Sequence, residues 1–215
     1  MNNFLNNLVE VSGNEHATSV DGGLVSDIKG FISTGSYTLN ALLSGSLYGG
    51  IPNNKITALA GEQATGKTFF CFNILKTFLD DNPEGVVLYF DSEQAITSQM
   101  FEERGIDSTR VAVFPVSTIE EFRHQMIQVA DTYRAEKNKK PILVILDSLG
   151  NLSTLKEMED TASGKNVRDM TKAQALKATF RTLTVKCGSA GIPLLITNHT
   201  YDVVGSYVPM KEMSG

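Results

Sequence analysis

The residues Gly61-Glu62-Gln63-Ala64-Thr65-Gly66-Lys67-Thr68 satisfy the pattern G-x-x-x-x-G-K-[ST] at every position. Each type at its place does something a phosphate needs. Gly61 and Gly66 allow backbone shapes that a side chain would obstruct. Successive backbone N–H groups then wrap around phosphate oxygens at the start of a helix. Lys67 brings a positive charge to the β- and γ-phosphates, and the Thr68 hydroxyl is a ligand for Mg²⁺. The whole octet, with Phe69 next to it, forms the expected nucleotide-binding set, and ATP with Mg²⁺ is the expected cofactor.

Two further carboxylate positions suit such a site. Pro141 to Leu146 is a continuous apolar run that ends on Asp147. A strand of that kind is buried on both faces, and its acid then lies at the C-terminal edge of a sheet. Asp147 is therefore expected to support the metal, directly or through water. Tyr89-Phe90-Asp91-Ser92-Glu93 is a second strand that ends in acids. A carboxylate there can orient and deprotonate an attacking water. Spacing alone does not choose between Asp91 and Glu93.

These groups need elements to hold them. Strand signals occur at Lys55 to Ala60, Val86 to Phe90, Val111 to Val116, Pro141 to Leu146 and Ile192 to Thr197. Helix signals lie between them. Thr68 to Leu79 is apolar nearly all round. Ser117-Thr118-Ile119-Glu120 has capping-box form and opens a helix with Phe122, Met126, Val129 and Tyr133 at helical spacing. A third helix is expected from about Arg168 to Cys187, with Ala173, Leu176, Phe180 and Leu183 on one face. Alternating strands and helices imply an α/β fold, a mostly parallel sheet with helices on both faces. Residues 1–30 are polar and weakly patterned, with room for one short helix through Phe4, Leu5 and Leu8.

The chain has 215 residues, 41% of them hydrophobic, enough for a sizeable core. It contains no apolar stretch long enough to span a membrane. Its N-terminus lacks a basic region followed by an apolar run, so no secretory signal is expected. Cys71 and Cys187 have no metal or redox spacing; reduced core thiols in a cytoplasmic protein are expected, with a disulfide as the alternative. The net charge of −5 argues mildly against nucleic acid, yet Gly164 to Lys186 holds six basic residues and one acid. A local field is what a phosphate backbone meets.

Taken together, these residues resemble the RecA family of recombinases, and within it the T4-type phage branch. The resemblance runs from about Phe31 to the last residue. It rests on Phe31-Ile32-Ser33-Thr34-Gly35-Ser36 with Leu39 and Leu42, on Asp91-Ser92-Glu93, on Leu146 to Leu152, and on Ile196-Thr197-Asn198-His199-Thr200. It implies a RecA-like ATPase core over 31–215, preceded by an N-terminal segment, 1–30, that docks on a neighbouring subunit. It implies DNA-dependent ATP hydrolysis, with Glu93 as catalytic base and His199 as γ-phosphate sensor. It implies a helical filament on single-stranded DNA that pairs with a homologous duplex. Mediator and single-strand-binding proteins join the expected partners, and no membrane does.

The family's first DNA loop would fall at about Lys156 to Met170 and its second would begin near Tyr201. Lys165, Arg168 and Lys172 are the expected phosphate contacts. Where the family stacks a ring on adenine, this chain has Met100, with Phe101 beside it; either could cover the base. The chain is expected to be cut short at its C-terminus, inside the second loop. A hexameric helicase of the same fold and a regulatory phosphate-loop ATPase remain as rival readings.

Overall fold

The computed structural model describes residues 3–14, 17, 20–24, 26–164, 171–202 and 211–213. In chain order the strands are β1 (Phe31–Ile32), β2 (Ile51–Pro52), β3 (Ile56–Gly61), β4 (Val86–Asp91), β5 (Val111–Pro115), β6 (Ile142–Asp147), β7 (Leu194–Asp202) and β8 (Lys211–Met213). The helices are α1 (Asn3–Val11), α2 (Tyr37–Ser44), α3 (Lys67–Asp81), α4 (Ser98–Glu102), α5 (Ile119–Ala135), α6 (Leu155–Ala162) and α7 (Lys172–Ala190).

The main sheet runs β3-β7-β6-β4-β5, and these strands are parallel. The short β8 pairs antiparallel with the far end of β7. β6 is the central strand and is buried at all its positions, as its unbroken Ile/Leu/Val run requires. From β4 the chain steps outward to β5, then returns to the other side of β4 as β6. The crevice between the C-terminal ends of β4 and β6 is thus the point where strand order reverses, the place where open α/β sheets bind ligands.

Side-chain alternation sorts the core into two layers. One joins α3 to Val87 and Tyr89 of β4, Leu143 and Ile145 of β6, and Leu195 of β7. The other joins α5 and α7 to Phe90, Val144, Leu146, Leu194 and Ile196. Because strand residues alternate in direction, Asp147 and Thr197 follow Ile145 and Leu195 onto the α3 face. Cys71 and Cys187 are free, buried, and in different layers. Burial pushes the Cys71 thiol well up and that of Cys187 to about 11.

Several local expectations shift. The capping box of α5 sits one residue later: Thr118 Oγ1 accepts from Glu121 N at 3.1 Å, and the Glu121 carboxylate accepts from Ser117 N at 3.1 Å. The reason is that Ile119 belongs inside the helix, where it is buried. On α7 the buried stripe is Leu176, Thr179, Leu183, Cys187 and Ala190. Phe180 is half-buried and Ala173 is exposed, one turn before the helix meets the sheet layer. The described helix begins at Lys172, so the expected start at Arg168 lies outside the described residues. α2 was not signalled by an apolar period; it is built on Asn40, whose Oδ1 accepts from Thr34 N and Oγ1 and whose amide donates to Ser33 Oγ and Leu47 O.

The N-terminal segment does contain one helix, α1, with Phe4, Leu5, Leu8 and Val11 exposed. Its connector is tied to the core: Asn54 Nδ2 donates to Asp27 O at 2.6 Å and Lys55 Nζ to Ser26 O at 2.5 Å.

Candidate functional site

β3 ends at Gly61 and α3 begins at Lys67, so the octet forms the turn between them. Gly66 caps the helix at φ 87°, a left-handed backbone that glycine adopts without strain. Ala64 has φ 61°, a conformation that costs a non-glycine residue about 1–2 kcal/mol. The loop is tight: a Cβ added at Gly61 would lie 2.9 Å from Thr65 Oγ1. Thr65 Oγ1 donates to Glu62 O at 2.8 Å, bracing the turn. Lys67 Nζ donates to Gly61 O at 3.0 Å and Glu62 O at 2.6 Å, which folds the ammonium back over the loop. Lys211 on β8 makes an ion pair with Glu62. A loop so shaped, with a helix N-terminus behind it and one lysine across it, fits a polyphosphate.

The α3 face of the sheet meets this loop. Thr68 Oγ1 donates to Asp147 Oδ2 at 2.7 Å. That bond uses the one hydroxyl hydrogen and leaves the oxygen lone pairs for a hard cation. Hydroxyl and carboxylate oxygens suit Mg²⁺, which takes few protein ligands and completes its shell with phosphate and water. Among the described residues there is no group of three or more His, Cys, Asp or Glu that could hold a metal ion. Asp147 is buried and also accepts from Tyr89 and Thr197.

The two acids left open by spacing separate here. Asp91 is buried, and its carboxylate accepts from Glu93 N at 3.0 Å and Ile96 N at 3.2 Å. It shapes the turn after β4. Glu93 is carried by that turn into the crevice. Its Oε1 lies 3.1 Å from His199 Nε2 and accepts from Ser148 Oγ at 3.0 Å. Ser148 is held in turn by Ser92, whose hydroxyl accepts from Ser148 N at 2.8 Å and donates to Ser148 O at 2.7 Å.

His199 stands opposite Gly61 in the β3–β7 register. Its Nδ1 lies 3.4 Å from Lys67 Nζ. An ammonium only donates, so Nδ1 is the acceptor and Nε2 carries the hydrogen given to Glu93. Lys67, His199 and Glu93 therefore form a continuous polar bridge across the mouth of the site. An apolar run ending in Thr-Asn-His does not announce this by itself; only the strand register brings the histidine to the loop.

Phe101 departs from expectation. It is buried in the α3 layer, with its ring 5.0 Å from that of Phe72, because it falls on the inner side of the short α4. It is therefore not placed to cover a base. Met100, half-buried at the layer's rim, remains as the candidate, and Phe69 on α3 is exposed. Phe101→Ala is expected to cost about 3–5 kcal/mol of stability, read as a lower urea midpoint. Met100→Ala, at a half-buried position on the rim of that layer, should lower the midpoint by less.

Of the expected DNA contacts, Lys165 and Arg168 lie outside the described residues. Lys172 opens α7, and its Nζ donates to Gly150 O at 3.2 Å. The basic stretch is less bare than its composition suggests, since Lys186 pairs with Asp131 of α5 at 2.5 Å. The expected first loop also begins as a helix, α6, capped by Thr154. The start of the second is the β7–β8 pairing of Thr200–Asp202 with Lys211–Met213.

A parallel sheet with this loop at the end of β3 defines a phosphate-loop α/β protein. The family model of the RecA N-terminal domain matches residues 5–209, and the chain belongs to that family. It is 31% identical over 202 residues to the recombination and repair protein of Enterobacteria phage T4, a match covering 94% of this chain and 51% of the relative. It is 28% identical over 153 residues to protein RecA of Malacoplasma penetrans, covering 66% of this chain and 44% of that one. Against protein RecA of Acidothermus cellulolyticus the identity is 23% over 181 residues, 84% of this chain and 49% of the relative. The chain spans about half the length of these curated relatives.

Proposed function

We propose that this chain is the nucleotide-binding core of a DNA-dependent ATPase that assembles as a helical filament on single-stranded DNA and pairs it with a homologous duplex. The observation that carries the reading is the Lys67–His199–Glu93 bridge. It joins the lysine that would meet the β- and γ-phosphates to the carboxylate that would take a proton from water. Loss or gain of a γ-phosphate beside Lys67 would then be felt at His199, on the strand that leads into the second DNA loop. The family membership and the T4 relative's role in recombination and repair support the same reading.

In this mechanism the backbone N–H groups of Gly61 to Thr68 bind the phosphates. Thr68 and Asp147 are the residues that would hold Mg²⁺, and the ion would supply positive charge to offset that of the phosphates. Glu93, carried on the turn that Asp91 braces, orients water and accepts its proton. His199 reports the nucleotide state, and Met100 covers the base. Lys165, Arg168 and Lys172 contact the DNA backbone. α1 docks on a neighbouring subunit. Mediator and single-strand-binding proteins are proposed as further partners. The proposed setting is the cytoplasm, that of the host cell if the protein is phage-encoded. Among the described residues no helix is long and apolar enough to cross a membrane.

The test is steady-state hydrolysis of ATP with Mg²⁺, with and without single-stranded DNA, together with electron microscopy of the assemblies. DNA-stimulated turnover and helical filaments are the expected outcome. Turnover indifferent to DNA would replace the reading with a regulatory ATPase, and closed rings that unwind duplexes would replace it with a helicase.

A further inference from the structure

Tyr89 and Thr197 carry hydroxyl groups at positions where the phosphate-loop motif asks for none. Both are fully buried, in the middle of the sheet on its α3 face. The Tyr89 ring packs 5.9 Å from that of Phe72. Phenylalanine would make the same ring contact, and valine would fill the place of Thr197. A buried hydroxyl is costly unless it finds a partner. Here both find the same one: Tyr89 donates to Asp147 Oδ2 at 2.8 Å, and Thr197 donates to Asp147 Oδ1.

The strand register explains the convergence. Asp91 lies opposite Asp147 in β4–β6, and Leu146 lies beside Ile196 in β6–β7. The Tyr89 hydroxyl therefore reaches Asp147 from two residues before Asp91 on the same face of β4, while Thr197 reaches it from β7. The two donors take different carboxylate oxygens, which fixes the rotation of the carboxyl group about its own bond. Oδ2 then receives the Thr68 hydrogen from the one direction left toward the loop.

We propose that Tyr89 and Thr197 are positioning residues: a two-point hydroxyl clamp that sets the Asp147 carboxylate so that Thr68 presents its lone pairs to the nucleotide's divalent cation. The clamp rests on the reading of the site as one that binds ATP with Mg²⁺. It acts through Asp147 and Thr68, and neither member of it touches the nucleotide. Groups that orient a metal's ligands typically contribute 10–100-fold in metal affinity.

The experiment is a Mg²⁺ titration of ATP hydrolysis, paired with Mn²⁺ binding by electron paramagnetic resonance in the presence of a non-hydrolysable ATP analogue. Tyr89→Phe is expected to raise the Mg²⁺ needed for half-maximal turnover by about 10-fold and to weaken Mn²⁺ in parallel. Turnover at saturating Mg²⁺ should recover most of its wild-type value. Thr197→Val should behave alike, and Thr197→Ser, which keeps the hydroxyl, should restore the wild-type requirement even if packing is disturbed. Unchanged Mg²⁺ and Mn²⁺ dependence in Tyr89→Phe and Thr197→Val, while the wild type binds the nucleotide and turns over, would overturn the clamp alone. A wild-type chain that binds no Mg²⁺-nucleotide would overturn the clamp and the functional reading together.

Discussion

Glu93→Gln is expected to lower ATP turnover by about 10²–10⁴-fold, the usual worth of a positioned general base, while leaving ATP affinity close to wild type. The amide keeps the size and reach of the carboxylate. Its oxygen can still accept from His199 Nε2 and Ser148 Oγ, which hold Glu93 Oε1 at 3.1 and 3.0 Å. What it loses is the ability to take a proton. Phosphate release and filter binding of ATP on the same preparation read the two quantities separately. Asp91→Asn is the informative partner, because Asp91 accepts from Glu93 N and Ile96 N and so shapes the turn. Equal turnover in Glu93→Gln would take the role of base away from it.

The second large effect belongs to Lys67. Lys67→Ala removes the ammonium from Gly61 O, Glu62 O and His199 Nδ1 at one stroke. Loss of a preorganised donor to developing phosphate charge is expected to lower turnover by about 10²–10³-fold, and ATP affinity should fall with it. Lys67→Arg should not rescue, since a planar guanidinium does not fit a loop closed around a compact ammonium. The fold should survive both changes, because the side chain sits at the mouth of the loop rather than in either core layer. Matching thermal midpoints with lost nucleotide binding would show that the effect is local.

Much of this was legible in the sequence. The octet, the apolar run into Asp147 and the acids after β4 each carry a local signal, and the strand–helix alternation implied the parallel sheet that gathers them. What stayed hidden was set by register and side-chain direction. Spacing left Asp91 and Glu93 equivalent; the structure turns one inward to brace a turn and the other into the crevice. Phe101 read as one of two residues able to cover the base, and the short α4 turns it into the core instead. Tyr89 and Thr197 were invisible as partners of Asp147 because each reads as part of a strand run, two residues before the acid Asp91 or the histidine His199 that attracts attention. Their signal was there in the period of two: both fall on the same sheet face as the acid they serve. The capping box of α5 shifted by one residue because burial of Ile119 outweighed a local pattern that either threonine or serine could satisfy.

The loop, Asp147 and the Lys67 bridge are proposed to form one site for ATP with Mg²⁺. Calorimetric titration of this chain with ATP, with and without Mg²⁺ and alongside Lys67→Ala, decides whether they do. Saturable binding that tightens with Mg²⁺ and disappears in Lys67→Ala is the predicted result. Absence of binding by the wild type, or binding that Lys67→Ala leaves intact, would contradict it.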